Sequence, residues 1–246
     1  MDGRGWLKQV RALHRKKFRE AEGLFLVQGR KLVRELLASE LVVEQVFATA
    51  EAADDMRLEH AEVLPRHDLD RMGTFENGNE VVAVVRTPAP ALMLPPKGPG
   101  LVLALDGITD PGNMGTLVRI ADWFGVQRIW CSEDSVEVFN PKGVQASMGS
   151  VFRIPVAYGD LPSALIDAVG AGAEVYKAEA SGENVFDVPL KVPAVLVLGS
   201  ESHGLGDAVR NGPGRSIAVP RNGMAESLNV AAAASALCME FARRMR

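Results

Sequence analysis

The chain has 246 residues, of which 47% are hydrophobic and 24% charged, a balance that is typical of a globular protein and excludes a disordered or fibrous chain. Its formal net charge of −4 argues against a uniformly basic nucleic-acid binder, although a local basic patch remains compatible with it. No apolar run is long enough to cross a bilayer, and no apolar signal segment follows the basic start. We therefore expect a cytoplasmic protein of two domains without a membrane partner.

The first stretch of the chain is basic. Residues 1–20 contain seven Lys or Arg against two acidic residues. Taken alone, this pattern fits two interpretations equally well: a solvated helix face or frayed terminus, and an arm that contacts RNA. We treat residues 1–19 as a basic N-terminal arm.

A small α/β domain is predicted over residues 20–86. Apolar runs predict four strands, and helical spacing of apolar residues predicts a helix over 30–39 and a shorter one over 67–73. The strands are predicted at 24–27, 42–49, 61–65 and 79–86. Five prolines between residues 87 and 99 then predict a stiff linker.

A second domain is predicted over residues 100–246, because apolar runs alternate with stretches compatible with helices. This alternation indicates a mostly parallel sheet. The strands are predicted at 101–106, 128–132, 153–157, 174–180, 194–199 and 215–220, and the helices at 116–125, 141–150, 161–171 and 227–245. The two cysteines, Cys131 and Cys238, lie far apart and outside any CxxC pattern, so we expect buried, reduced thiols and no metal site.

Three loops are candidates for a functional site. The first lies between Asp106 and a helix predicted to begin near Gly115 or Thr116. Its glycines permit close backbone approach, and the helix start offers free N–H groups to an anion. Helical spacing turns Arg119 away from the core, free to reach a ligand. Alternatively, Arg119 pairs with Asp122 on the surface, and Asn113 caps a turn.

The second loop follows an apolar strand, in LVLGSESHGLG at 196–206. Parallel sheets bind ligands at such strand ends, and Gly199, Gly204 and Gly206 allow a tight fold. Glu201 stands where it could hold a polar group or brace a neighbouring loop, and His203 is a weaker candidate. Hydrolysis and metal catalysis are disfavoured, since no Gly-x-Ser-x-Gly string occurs and the other histidines lie in the first domain.

The third loop, at 219–229, leads into an alanine-rich helix. Ser227 fits a helix N-cap. Asn229 is predicted inside the helix, where asparagine is unfavourable unless its amide has a partner, so we favour a functional amide there. The absence of Gly-x-Gly-x-x-Gly after a strand, and of a Walker A string, disfavours a dinucleotide site and a P-loop.

Together the three loops resemble the motifs of the SpoU/TrmH RNA 2′-O-methyltransferases of the SPOUT superfamily. DPGNMGTLVRIADWFG resembles the family's Asn-Gly/Arg motif, GSESHGLG its Gly-x-Glu-x-x-Gly-Leu motif, and VPRNGMAESLNVAAAASA its Ser-Leu-Asn-Val motif. The module at 20–86 is similar to the substrate-binding domain that often precedes the catalytic domain. The resemblance implies an α/β fold with a C-terminal trefoil knot, homodimers and S-adenosylmethionine as cofactor.

The resemblance also implies site residues, by matching positions. The polar catalytic set corresponds to Asn113, Arg119, Glu201, Ser227 and Asn229. The residues that enclose the cofactor correspond to Leu198, Gly199, Gly204, Ile217, Val219 and Leu228.

The function implied is transfer of a methyl group to a ribose 2′-hydroxyl of structured RNA, with ribosomal RNA favoured over transfer RNA. Arg119 is the family's proposed base, but arginine holds its proton tightly, so its role stays open between base and phosphate anchor. The alternative is a non-catalytic RNA-binding or ribosome-assembly protein of the same fold. An α/β hydrolase or nucleotide enzyme would leave the basic arm and the motif order unexplained.

Overall fold

The computed structural model describes residues 3–74 and 79–244, with side chains from residue 5 onward. The start of the predicted arm, up to the side chain of Arg4, and the predicted helix end at Met245 lie outside the described residues. Contacts divide the chain into two units. The first unit runs to Ala89 and includes Glu137–Arg153, and the second comprises Pro90–Val136 and the chain from Ile154 onward.

A four-stranded sheet organises the first unit. Its strands are β1 Leu24–Gln28, β2 Val43–Ala48, β3 Glu62–Val63 and β4 Val81–Arg86, in the order β1-β4-β2-β3. β4 runs antiparallel to both neighbours, and β3 runs parallel to β2. The apolar runs thus correctly predicted these strands, although β3 is only two residues long.

Helices cover this sheet because their apolar residues recur at helical spacing. They are α1 Gly3–Ala12, α2 Lys16–Glu22, α3 Arg30–Leu37, α4 Ala50–Met56 and α5 Arg66–Met72. The predicted α3 buries Leu32, Val33 and Leu36. The described part of the basic arm forms α1 and most of α2, and Val10 and Leu13 are fully buried. The arm is therefore anchored in the core of the first unit.

The rest of the chain alternates between strands and helices, as predicted. These elements are β5 Leu101–Asp106, α6 Pro111–Trp123, β6 Arg128–Ser132, α7 Pro141–Ser147, β7 Val156–Gly159, α8 Leu161–Gly170, β8 Glu174–Asn184, β9 Ala194–Gly199, α9 Asp207–Arg210, β10 Arg215–Ala218 and α10 Val230–Arg244. The six strands form one sheet in the order β10-β8-β9-β5-β6-β7, and every pair is parallel.

The centre of this sheet is buried on both faces, which explains why its strands are continuous apolar runs. The first five residues of β5 and of β9 are all buried. Because the strands are parallel, their carboxyl ends lie at one edge of the sheet. That edge receives the loops after β5, β9 and β10.

Two helix starts differ from the predictions. α6 begins at Pro111 rather than near Gly115, because the side chain of Asp110 accepts a hydrogen bond from the backbone N–H of Asn113 and proline suits the first helical position. Gly112 and Gly115 consequently lie in helical turns and not in a left-handed conformation. α10 begins at Val230 rather than at Ser227.

One segment of the predicted second domain, 137–153, packs within the first unit instead. The rings of Phe25 and Phe139 have centroids 4.5 Å apart, and Arg153 forms a 3.0 Å ion pair with Glu35. Buried Arg19 also pairs with Glu137. These contacts join residues more than a hundred positions apart, so local sequence patterns did not indicate them.

The cysteines are free and buried, as predicted. Burial raises the pKa of the Cys131 thiol well above its usual range and that of Cys238 to about 12. Within the described chain, no helix is long and apolar enough to cross a membrane, and no group of three or more His, Cys, Asp or Glu could hold a metal ion.

Glu240 on α10 is a buried carboxylate that stabilises the second unit. Arg243 donates two hydrogen bonds to it, at 2.9 and 2.7 Å, and Arg244 donates a third at 2.7 Å. These bonds, led by those from Arg243, lower the pKa of Glu240 to about 2. We expect Glu240→Gln to lower the free energy of unfolding at pH 7 by about 1–2 kcal/mol, since bonds to a charged group are lost.

The pH dependence of this difference follows from the direction of the shift. A lowered carboxyl pKa stabilises the fold above the usual value of 4.5, and this contribution is lost as the pH falls toward about 2. Denaturant unfolding of both proteins from pH 7 downward should show the gap narrowing below about pH 4.5. A gap that stays constant with pH would contradict this role for Glu240.

Candidate functional site

The candidate site lies where three loops meet at the carboxyl edge of the parallel sheet. Asp106 at the end of β5 pairs in register with Gly199 at the end of β9. The loop after β5 leads into α6, the loop after β9 leads into α9, and the loop after β10 leads into α10.

A triangle of side-chain hydrogen bonds joins these three loops. Asn113, in the first turn of α6, donates from Nδ2 to Oε1 of Glu201 at 2.9 Å. Asn229, just before α10, donates from Nδ2 to the same Glu201 oxygen and to Oδ1 of Asn113, the latter at 3.2 Å. The structure thus brings together three of the five predicted polar residues, although they are far apart in sequence.

Asn229 also caps α10, so the prediction that it lies inside the helix is wrong. Its Oδ1 accepts hydrogen bonds from the backbone N–H groups of Ala231 at 2.9 Å and Ala232 at 3.4 Å, so Asn229 is the N-cap of α10. Ser227, which we expected to fit that position, lies two residues earlier with an exposed side chain. One amide therefore both starts the helix and holds Glu201.

The loop after β9 is folded tightly onto the end of β5. Ser200 and Gly204 exchange two backbone hydrogen bonds, at 3.0 and 2.9 Å, and Gly204 has a φ of +67°. The backbone N–H of Gly206 donates to Oδ2 of Asp106 at 2.7 Å. Burial raises the pKa of Asp106, the Gly206 bond opposes this shift, and repulsion from Asp134 adds to it. Asp106 thereby fastens the Glu201 loop to the sheet.

Beside this triangle lies a cavity of about 820 Å³ in the second unit. Backbone and apolar groups from β8, β9, β10 and the loop before α10 form its walls. All six residues predicted to enclose the cofactor line this cavity: Leu198, Gly199, Gly204, Ile217, Val219 and Leu228. Glu201 and Ser227 line it as well, so the polar triangle borders the cavity through Glu201.

Gly199 allows its own backbone to lie very close to the backbone of Gly204 and Leu205 in this wall. A Cβ atom at Gly199 would lie 2.3 Å from the backbone carbon of Gly204 and 2.5 Å from the nitrogen of Leu205. Because both atoms are backbone, the loop would have to move. We expect Gly199→Ala to lower the free energy of unfolding by about 1–3 kcal/mol and to weaken binding of S-adenosylmethionine about tenfold or more, measured by calorimetry.

The control is Gly170→Ala at the end of α8, where an added Cβ meets no atom within 4 Å. This variant should bind the cofactor like the wild type. Equal affinities for Gly199→Ala and the wild type would show that the cavity tolerates movement of this loop.

Arg119 is not part of the polar triangle, since none of the triangle's hydrogen bonds involves it. Its side chain is exposed on α6, whereas Met114, Leu117, Val118 and Ala121 of the same helix are buried. Among the residues that the structure describes, no hydrogen bond or ion pair engages Arg119, so the alternative pair with Asp122 is not formed. Its guanidinium therefore faces solvent, as the helical spacing predicted.

Four charged residues that line the cavity were not predicted: Glu179, Arg210, Arg221 and Glu226. Glu179 in the middle of β8 accepts a hydrogen bond from Ser216, and Arg210 lies 3.4 Å from Glu179 and donates to the carbonyl of His203 at 3.4 Å. The available signal was the place of Glu179 near the end of the strand predicted at 174–180, because the ends of parallel strands share one edge of the sheet.

Comparison with family models assigns both parts of the chain. The model described as the SpoU rRNA methylase family matches residues 100–239. The model described as the MRM3-like substrate binding domain matches residues 6–86.

Known proteins resemble the chain over nearly its whole length. The 23S rRNA (guanosine(2553)-2′-O)-methyltransferase RlmP of Bacillus subtilis is 32% identical over 235 residues, covering 94% of this chain and 93% of the relative. The SpoU methyltransferase AviRb from Streptomyces viridochromogenes, in complex with AdoMet, has a TM-score of 0.88 at 27% identity and covers 100% and 98% of the two chains. An AdoMet-bound rRNA methyltransferase from Sinorhizobium meliloti has a TM-score of 0.84 at 26% identity, with 98% and 95% covered.

Proposed function

Because the chain belongs to the SpoU rRNA methylase family, we propose that it transfers a methyl group from S-adenosylmethionine to a ribose 2′-hydroxyl of ribosomal RNA. The family, the enzyme class and the cofactor predicted from the three loops are confirmed. The observation that carries the proposal is the triangle of Asn113, Glu201 and Asn229 beside the cavity.

The cavity fits the proposed cofactor. Its volume of about 820 Å³ lies in the range of small-molecule sites, and its walls combine apolar side chains with backbone polar groups. Gly199, Val219 and Leu228 would hold the cofactor, with Leu198, Gly204 and Ile217 beside them. When bound, S-adenosylmethionine supplies an electrophilic methyl group on its sulfonium.

The chain's own part in the reaction is alignment and proton removal. Oε1 of Glu201 accepts from Asn113 and Asn229, which fixes the carboxylate. Its Oε2 makes no hydrogen bond to any described residue and is thus available to accept one from the substrate ribose. Such positioning can contribute several of the ~7–11 kcal/mol that well-oriented reactants gain. Arg119 would contact RNA as base or as phosphate anchor, and Ser227 would contact RNA or cofactor at the cavity mouth.

The finer predictions belong to this proposal as well. They are the trefoil knot of the C-terminal segment, cytoplasmic location, and the domain limits at 20–86 and 100–246 around the linker at 87–99. The match of the two family models to 6–86 and 100–239 supports the domain limits to within a few residues at the linker.

A homodimer is also proposed, with partner residues completing the site. The exposed face of α6 supports it, because Trp123 is 81% exposed one helical turn from Arg119. Sedimentation equilibrium should give twice the 26.4 kDa chain mass. A monomer at micromolar concentration would contradict the dimer.

The test of the proposed reaction is transfer from labelled S-adenosylmethionine to unmodified 23S rRNA, 16S rRNA and transfer RNA in parallel, with assembled ribosomal subunits as a further substrate. Nucleoside mass spectrometry of the digests identifies the product. We expect a 2′-O-methylated nucleoside in a ribosomal pool. Cofactor binding without transfer to any of these substrates would favour the alternative, a non-catalytic RNA-binding or ribosome-assembly protein.

A further inference from the structure

We propose that a groove between α1, α2 and α5 of the first unit binds the phosphate backbone of the substrate RNA. The inference rests on the proposed function and adds a specific surface to it, since the family match describes residues 6–86 as substrate-binding without naming a face. The groove has a volume of about 420 Å³. Lys8, Arg11, Arg15 and Arg71 line it.

The groove lies on a helix that packs against the core of the first unit. Trp6 of α1 packs edge-on against Phe47 of β2, with ring centroids 5.6 Å apart, while Val10 and Leu13 are fully buried. His14, just after α1, is 2.7 Å from the carbonyl oxygen of Met72 at the end of α5. α1 therefore contacts β2 and the end of α5, and the basic side chains belong to a helix that is packed on the core.

The groove cations differ from most other arginines of this unit. Arg30, Arg34, Arg86 and Arg153 each form an ion pair with a carboxylate. Lys8, Arg11 and Arg15 make no ion pair with any residue that the structure describes, and all three are exposed. Arg71 has a single ion pair with a described residue, a 3.7 Å pair with Asp68. Unpaired cations gathered in one place, on a chain of net charge −4, are a surface suited to a polyanion.

The residues that line the groove suit a nucleic-acid backbone better than a single anion, because they include four cations and three apolar side chains. Leu7, Ala12 and Phe18 line the groove together with the cations. Lys8 and Arg11 stand three positions apart on one face of α1, and Arg15 follows in the turn before α2. Several cations in one groove can bind successive phosphates while the riboses contact the apolar side chains. The groove thus provides register and affinity but no base reading.

The test compares two double variants that remove the same charges. Lys8→Gln with Arg11→Gln changes the groove, and Lys31→Gln with Arg34→Gln removes one exposed lysine and one exposed arginine, again three positions apart, from α3. Binding of unmodified 23S rRNA transcript to the full chain is measured by filter retention at several KCl concentrations. Thermal melting verifies that both variants are folded.

We expect the groove variant to bind about tenfold or more weakly near 0.1 M salt, and the slope of log K against log salt to flatten by about 1.4–1.8, as two lost phosphate contacts require. Adding Arg15→Gln should flatten it by about 0.7–0.9 more. The α3 variant should keep the wild-type slope. A wild-type slope in the groove variant would contradict the proposed role of the groove. An equal change of slope in the α3 variant would contradict it as well.

Methyl transfer separates this inference from the proposed function. With the groove variant, KM for RNA should rise with Kd, whereas kcat at saturating RNA and cofactor affinity should stay as in the wild type. RNA binding through the groove without transfer to any RNA would contradict the proposed reaction but not the groove. If the wild type transferred methyl groups and the groove variants bound RNA as tightly as the wild type, the groove would be contradicted but the reaction would not.

Discussion

Replacing Arg119 with alanine is expected to lower the rate of methyl transfer about 10²- to 10⁴-fold, the range that a positioned proton-transfer group contributes. Arg119 is exposed and, among the described residues, unpaired, so its loss should change neither folding nor the cavity. Calorimetry should therefore give an S-adenosylmethionine Kd within about twofold of the wild type. The rate is measured with saturating cofactor and titrated RNA.

The kinetic pattern identifies the role of Arg119. A loss confined to kcat indicates a part in the proton transfer, whereas a rise in KM for RNA at constant kcat indicates a phosphate anchor. Lys97→Ala, which removes an exposed cation of the second unit, is the control and should keep both constants. Wild-type kinetics for Arg119→Ala would remove this residue from the site.

Replacing Asn229 with aspartate is expected to lower the transfer rate about 10²-fold, the effect of a misplaced reacting geometry. The aspartate keeps an oxygen to cap α10 but replaces the Nδ2 donor with a second carboxylate oxygen facing Glu201. The two negative charges repel each other, so Glu201 loses its position. The free energy of unfolding should change little, because aspartate and asparagine are similar N-caps.

Two companion variants separate the cap from the amide. Asn229→Ser also keeps a capping oxygen and lacks the amide, so it should lose activity at near wild-type stability. Asn229→Ala loses both, and its free energy of unfolding should fall by about 1 kcal/mol in denaturant titrations. If Asn229→Asp transferred methyl groups at the wild-type rate, Asn229 would be a structural cap alone.

The sequence predicted the second sheet well because its strands are buried on both faces and therefore form unbroken apolar runs, as in β5 and β9. Six residues predicted to enclose the cofactor do line the cavity, but they were predicted only through resemblance to a family. The start of α6 was missed because the glycines of DPGNMG indicate a loop, whereas Asp110 followed by Pro111 is a helix-start signal that carried more weight.

Other features of the site could not be predicted from local sequence patterns. The hydrogen bonds of the polar triangle join side chains up to 116 positions apart. Sequence-spacing rules apply only within a helix or strand, so they do not predict such contacts. Asn229 was noticed because its amide needed a partner, but the identity of that partner required the fold. Glu179 was overlooked since one acidic residue in a strand is also typical of a solvent-exposed strand end. The catalytic roles of the five polar residues remain predictions.

The packing of 137–153 within the first unit bears on how the chain is made. A ribosome completes β1 to β4 long before it adds α7, and it must first synthesise β5, α6 and β6. Until Glu137 emerges, Arg19 lacks the carboxylate that pairs with it in the finished protein, and Phe25 lacks its aromatic neighbour. The N-terminal unit thus cannot be completed in strict order of synthesis, because residues 137–153 follow β5, α6 and β6 of the other unit along the chain.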